Sequence, residues 1–247
     1  MNELEAATST SFDAMAVDDV RRTKASNGKE LVMKSLGTNR SLHTFGWDLL
    51  FLYSQLSTDE RPGIAALAPS IQAGMQEAEN RRTTAEQAHA AVVIASANLI
   101  KRDKRRDRLV LALGGTARAT SKATYKRLFP KHSPSETAKL SIDAESIEVL
   151  RILGEMKTLE STDPLRTSYE ADLTDTQEAL TLAKSNATSA HLAWTLERSN
   201  VQQCKMDLDK LRIETHGKLL ALLGDKSEAD AFFRPTPQAS EDEVGTA

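Results

Sequence analysis

Residues 169–216 read YEADLTDTQEALTLAKSNATSAHLAWTLERSNVQQCKMDLDKLRIETH, forty-eight positions with neither glycine nor proline. From Tyr169 onward the apolar and small residues recur at alternate steps of four and three: Leu173, Thr176, Leu180, Ala183, Ala187, Ala190, Trp194, Glu197, Val201, Cys204, Leu208, Leu211, Thr215, Lys218, Leu222. A mean spacing of 3.5 held this long is the signature of a helix that supercoils with a partner. A second seam of the same kind runs Ile64, Leu67, Ile71, Gly74, Ala78, Arg81, Ala85, Ala88, Val92, Ala95, Leu99, Arg102, Arg106, Leu109, Leu113. Two such seams in one chain predict an all-α fold built on a long antiparallel intramolecular coiled-coil hairpin.

The composition of the 247-residue chain agrees with that reading. Aromatic residues make up only 4% and charged residues 27%, which suits narrow seams better than a broad globular core. The one cysteine, Cys204, excludes an internal disulfide and a cysteine-cluster metal site. No apolar run reaches the ~18 to 20 residues of a membrane span, so no membrane association is expected. The acidic, Ser/Thr-rich start lacks the basic and apolar regions of a signal peptide, which points to a cytoplasmic protein.

Outward from the seams, punctuation sets the boundaries. Residues 1–40 are polar and weakly patterned, with short helices expected at Val17–Arg22 and Glu30–Ser35. The helical hairpin is expected over 41–235, beginning with a buried apolar helix at Leu42–Leu56. Ser57-Thr58-Asp59 offers a cap and Pro62 suits a first helical turn, so the first long helix is expected at about 62–113, its opening turns delayed or kinked by Pro69. Gly114-Gly115 reads as its stop. A lobe over 114–163 follows: Ser133-Pro-Ser-Glu136 opens a helical region that is strongest from Ala144 to Leu159. Asp163-Pro164 starts the second long helix, about 164–223, which Gly224 ends. Residues 236–247 form an acidic tail without structural signal.

The same landmarks occur twice in the same order, and Pro62, Ala85, Ala88 and His89 fall on Pro164, Ala187, Ala190 and His191. That implies an internal duplication, with a small helical lobe at each end of the hairpin. Setting the alanine centres together, Ala88 opposite Ala190, puts Arg81 opposite Glu197, Gly74 opposite Cys204, Leu67 opposite Leu211 and Leu109 opposite Tyr169. A seam charge is costly alone, and this register gives Glu197 a partner. The seam residues expected to carry the fold are Leu67, Ile71, Arg81, Ala88, Val92, Leu99, Leu109, Leu173, Leu180, Ala190, Trp194, Glu197, Val201, Leu208 and Leu211.

Chemistry is scarce. Glu86-Gln-Ala-His89 has the Glu-x-x-His spacing of di-iron bundles, but the position matching Glu86 before His191 is Thr188, so the ligand set is incomplete and no metal or cofactor is expected. No His-Asp constellation supports Cys204 as a nucleophile, and a buried free thiol on the seam behaves as a small apolar residue. Leu113-Gly-Gly-Thr-Ala lacks the Lys-Ser/Thr of a phosphate loop. The chain is therefore read as a non-enzyme with no catalytic residue: a scaffold or adaptor that binds partner proteins through its end lobes, with pairing between copies left open. One asymmetry favours another partner. Between Lys101 and Lys131 there are eleven Lys/Arg against Asp103 and Asp107, a net of 11 − 2 = +9, which leaves −3 − 9 = −12 elsewhere. Lys101, Arg102, Lys104, Arg105, Arg106, Arg108, Lys122, Lys126 and Arg127 are the candidates for binding a nucleic-acid backbone. The competing reading has Arg102 and Arg106 answering Asp172, Asp175 and Glu178 on the second long helix, with the rest solvated.

Overall fold

A computed structural model describes residues 35–234; the helices expected at Val17–Arg22 and Glu30–Ser35 (all but its last residue) and the acidic tail at 236–247 lie outside the described residues. The described chain is all helical, with no strand: α1 Leu42–Ser57, α2 Pro62–Ala65, α3 Ala68–Thr120, α4 Lys122–Leu128, α5 Pro134–Thr137, α6 Ile142–Lys157, α7 Pro164–Leu223 and α8 Lys226–Asp230. Long helices pack against each other. Among the described residues no helix is long and apolar enough to cross a membrane.

Local chemistry places the ends. Ser41 and Ser141 each accept the backbone N–H three residues on, at Thr44 and Ala144, and so cap α1 and α6. Asp163 Oδ1 takes the Leu165 N–H at 2.8 Å and starts α7, and Gly224, at φ +69°, ends it. Ser133 and Glu136 close a capping box on α5, and the Ser133 backbone N–H holds the Glu136 carboxyl below its ordinary pKa. The helix is interrupted by a turn at Ala66 and Leu67, so the first long helix opens one short turn later than Pro62, with Pro69 in its first turn.

Gly114-Gly115 does not stop the first long helix; α3 continues to Thr120. A glycine ends a helix when it takes a left-handed conformation, and Gly224 alone does so among the described residues. Gly114 serves a different need. A Cβ there would stand 2.0 Å from Pro134 Cγ, so its hydrogen lets the start of α5 lie against α3.

The chain divides into two compact units, residues 76–207 and the remainder, and α3 and α7 each contribute to both. In the 76–207 unit the core gathers Val110, Leu113, Ala117, Leu128, Phe129, Val149, Ile152, Leu153, Met156, Leu165 and Leu173. α3 and α7 run antiparallel here. The His89 ring lies 5.0 Å from the Trp194 ring, Arg106 Nη1 donates to Gln177 Oε1 at 3.2 Å, and the Thr116 and Tyr169 hydroxyls are 2.9 Å apart.

In the other unit α1 buries Leu42, Phe45, Leu49, Leu52 and Leu56. Phe232 and Phe233, just after α8, are buried as well, with the Phe233 ring edge-on to His216. Gly74 sits where a Cβ would meet Leu211 Cδ2 at 2.8 Å and Leu208 Cδ2 at 3.3 Å.

These contacts correct the register expected from the alanine centres. Tyr169 meets Thr116, one heptad beyond Leu109, and Gly74 lies against Leu208 and Leu211. Close approach is decided by large residues seated on small ones, Leu211 on Gly74 for instance, and not by small residues meeting small. Arg81 and Glu197 still reach each other, at 4.0 Å, because both side chains are long. Arg81 makes its nearer pair with Glu77 at 2.7 Å.

α1 and α6 have the same length, sixteen residues each, and bury five matching positions, differing at Leu42 and Leu153. Phe45, Asp48, Leu49, Leu52 and Leu56 are buried in α1, and Glu145, Glu148, Val149, Ile152 and Met156, each one hundred residues later, are buried in α6. Each unit also buries an arginine three residues after an aspartate on a long helix: Asp103 with Arg106 on α3, Asp209 with Arg212 on α7.

Candidate functional site

Arg106 is the most heavily bonded side chain in the 76–207 unit. It falls on the apolar seam of α3 and is 0% exposed. Nη2 donates to Asp103 Oδ1 at 2.9 Å and to Glu145 Oε2 at 2.7 Å. Nη1 donates to Ser146 Oγ at 2.7 Å and Gln177 Oε1 at 3.2 Å. One guanidinium thus ties α3 to α6 and α7, using the planar fork that suits arginine to several acceptors. Its Nε has no acceptor.

Around it stand three carboxylates. Asp103 and Asp107, one turn apart on α3, and Glu145 on α6 each present an oxygen within 4.8 Å of the other two. Burial pushes the Glu145 carboxyl up to about 7, against the hydrogen bond and charge of Arg106, which pull it down. Asp107 is raised by burial first and by the Asp103 charge second. Glu145 Oε1 and Asp107 Oδ1 are both buried without a hydrogen-bond donor.

The other unit holds a related cluster. Arg212, 2% exposed, donates from Nη1 to Asp209 Oδ1 at 3.0 Å and lies 5.7 Å from the Phe233 ring centre. Asp209 also accepts from the Leu36 N–H at 2.9 Å and from the Ser35 hydroxyl. Burial raises the Asp48 carboxyl, and the Arg212 charge opposes it. Asp230 accepts from Lys226 and pairs with His216, both at 2.7 Å.

The residues singled out in the sequence fall as follows. Of the basic set, Lys101, Lys104, Arg105, Arg108, Lys122 and Lys126 are exposed and Arg102 is half-buried. Among the described residues none of these seven makes an ion pair. Arg106 leaves the set, because a cation with no exposed surface cannot reach a phosphate. Arg127 is engaged with Glu155 at 2.9 Å. The expectation that Asp172, Asp175 and Glu178 answer Arg102 and Arg106 is corrected too: Arg106 turns to Asp103 and Glu145, and those three acids on α7 carry no ion pair among the described residues. Of the seam residues, Ile71, Val92, Leu173, Leu180 and Leu208 are buried, and Leu67, Arg81, Ala88, Leu99, Leu109, Ala190, Trp194, Glu197, Val201 and Leu211 are half-buried.

Glu86 pairs with Arg82 at 2.7 Å, while the His89 ring packs on Trp194, so the Glu-x-x-His pair is not assembled as ligands. Cys204 is buried, and burial raises its thiol pKa, the opposite of an activated nucleophile.

Sequence reasoning missed Glu145, Asp48 and Arg212. The available signal was periodicity: Glu145, Val149, Ile152 and Met156 share one face of α6, so an acid on that face had to be buried and in need of a partner.

The chain matches no family model, no curated protein and no solved structure.

Proposed function

We propose that this protein is a non-enzymatic scaffold, an antiparallel coiled-coil hairpin of α3 and α7 with a helical lobe at each end, and that it docks a partner protein on the lobe built around α6. The paired burial patterns of α1 and α6, and of Asp103-Arg106 and Asp209-Arg212, support an origin by internal duplication.

One observation carries the docking reading. Ile147 and Leu150 on α6 and Leu182 on α7 are 71%, 58% and 63% exposed. A groove of about 460 Å³ runs beside the two leucines, lined by Leu150, Gln177, Glu178, Thr181, Leu182 and Ser185. Isolated exposed leucines need no explanation, but two lining one groove, with exposed Ile147 on the same helix as Leu150, mark an interaction surface. The rim names the occupant. Glu178, which lines the groove, and Asp172 and Asp175 further along α7 are exposed acids without ion pairs among the described residues, so the complement is an amphipathic helix with lysine or arginine beside its apolar stripe. The test is capture of binding proteins by the full chain and by Ile147→Asp/Leu182→Asp. The captured protein should present a basic amphipathic helix and be lost with the double variant. Retention by that variant overturns the reading.

A second reading, a rod that binds the nucleic-acid phosphate backbone, is favoured by the unpaired, exposed Lys101, Lys104, Arg105 and Arg108. Retention on heparin or duplex DNA that falls steeply with salt and vanishes in Lys104→Glu/Arg105→Glu/Arg108→Glu would support it over docking.

A further inference from the structure

Three carboxylates and one guanidinium meet where α3 and α6 touch, and their charges do not close. With Asp103, Asp107 and Glu145 ionised the cluster holds three negative charges against the one on Arg106, a sum of −3 + 1 = −2. Glu145 is 1% exposed, so water does not relieve its share of this charge, while Asp103 and Asp107 are only half-buried. A carboxylate taken out of water is costly unless it is paired.

The unpaired atoms point to what is missing. Arg106 Nη2 occupies Asp103 Oδ1 and Glu145 Oε2. Glu145 Oε1 and Asp107 Oδ1, buried and without donors, are left on acids whose ligand oxygens approach one another. Two ionised carboxylate oxygens repel each other, so a shared proton, a water or a cation must stand between Glu145 and Asp107.

We propose that Asp103, Asp107 and Glu145 bind one hard divalent cation, of the calcium, magnesium or manganese class. Three carboxylate ligands suit such ions, and a double positive charge closes the sum to zero. Arg106 acts as an outer-shell positioning residue: by holding the far oxygens of Asp103 and Glu145 it fixes how the near ones face. Asp103, whose side chain is 28% exposed, leaves one side of the site open for entry and for water ligands. The ion would join α3 to α6 directly and so set the firmness of the lobe.

The full chain, stripped with a chelator and dialysed, is unfolded by heat in rising CaCl2, MgCl2 or MnCl2 at constant ionic strength, and Mn2+ binding is followed independently by its paramagnetic resonance signal. At least one of the three ions should raise Tm along a saturating curve, with one Mn2+ bound per chain. Asp107→Asn, a half-buried position that leaves every Arg106 bond in place, should weaken that binding about tenfold or more, whereas Glu155→Gln on the same lobe should leave it unchanged. A Tm insensitive to all three ions, meaning that a shared proton or a water occupies the gap, overturns the proposal. Unaltered binding by Asp107→Asn overturns it as well.

Discussion

Pro134 lies directly against Gly114: a Cβ on Gly114 would stand 2.0 Å from Pro134 Cγ and 2.7 Å from its Cβ. Gly115, the next residue of the same helix, has nothing within 4 Å of its corresponding position. Substitution of the two glycines should therefore have opposite signs. Gly115→Ala should stabilise by about 0.5 to 1 kcal/mol, the helix-interior preference of alanine. Gly114→Ala gains the same preference but forces α5 off α3, and should destabilise by about 1 to 3 kcal/mol. Urea midpoints of the two variants against wild type decide it; equal shifts would mean that Pro134 yields freely.

Arg106 offers a second test. Arg106→Met alone leaves the buried Glu145 carboxyl without its partner, to be protonated or held as an uncompensated charge, and should cost about 3 to 5 kcal/mol. Adding Glu145→Leu removes the stranded carboxyl, so the double variant should recover much of that loss. A double variant no more stable than Arg106→Met would show that the bonds to Ser146 and Gln177, and not the charge pair, hold this position.

Asp225 caps α8 by accepting the backbone N–H groups of Ser227 at 2.7 Å and Glu228 at 3.3 Å. The helix is too short to persist without it, and the buried Phe232 and Phe233 follow immediately. Asp225→Ala should lower stability by about 1 kcal/mol, while Asp225→Asn, which keeps a capping acceptor, should lose much less. Chemical denaturation of the three proteins reads the difference.

Asp48 predicts a pH dependence. Burial raises its folded pKa above the ordinary 3.8, with Arg212 opposing. A raised folded value means that the folded state holds the proton more tightly than the unfolded chain. The stabilisation is complete below the unfolded pKa and disappears as pH rises through the folded one. The stability of wild type minus that of Asp48→Asn should accordingly fall as pH increases from below 3.8 through the folded pKa, then level off. A difference that rises over that interval would mean that Arg212 dominates the burial.

The seams spaced at 3.5, the capping serines, Asp163-Pro164 and Gly224 are local statements, and local physics suffices for them: an amphipathic period makes a helix and a left-handed glycine ends one. Gly114 marks where that reading fails. Whether a glycine in a helix is a stop or a gap for a neighbour depends on Pro134, twenty residues away, and the sequence does not say which residues will touch. The same holds for the register, set by which large side chain finds which small one, as Leu211 finds Gly74. It holds for Arg106, whose seam position implies burial but does not name Glu145, thirty-nine residues on, as the acid that meets it. Periodicity along one chain is fixed by backbone geometry; partnership between distant residues is fixed only when packing brings them together.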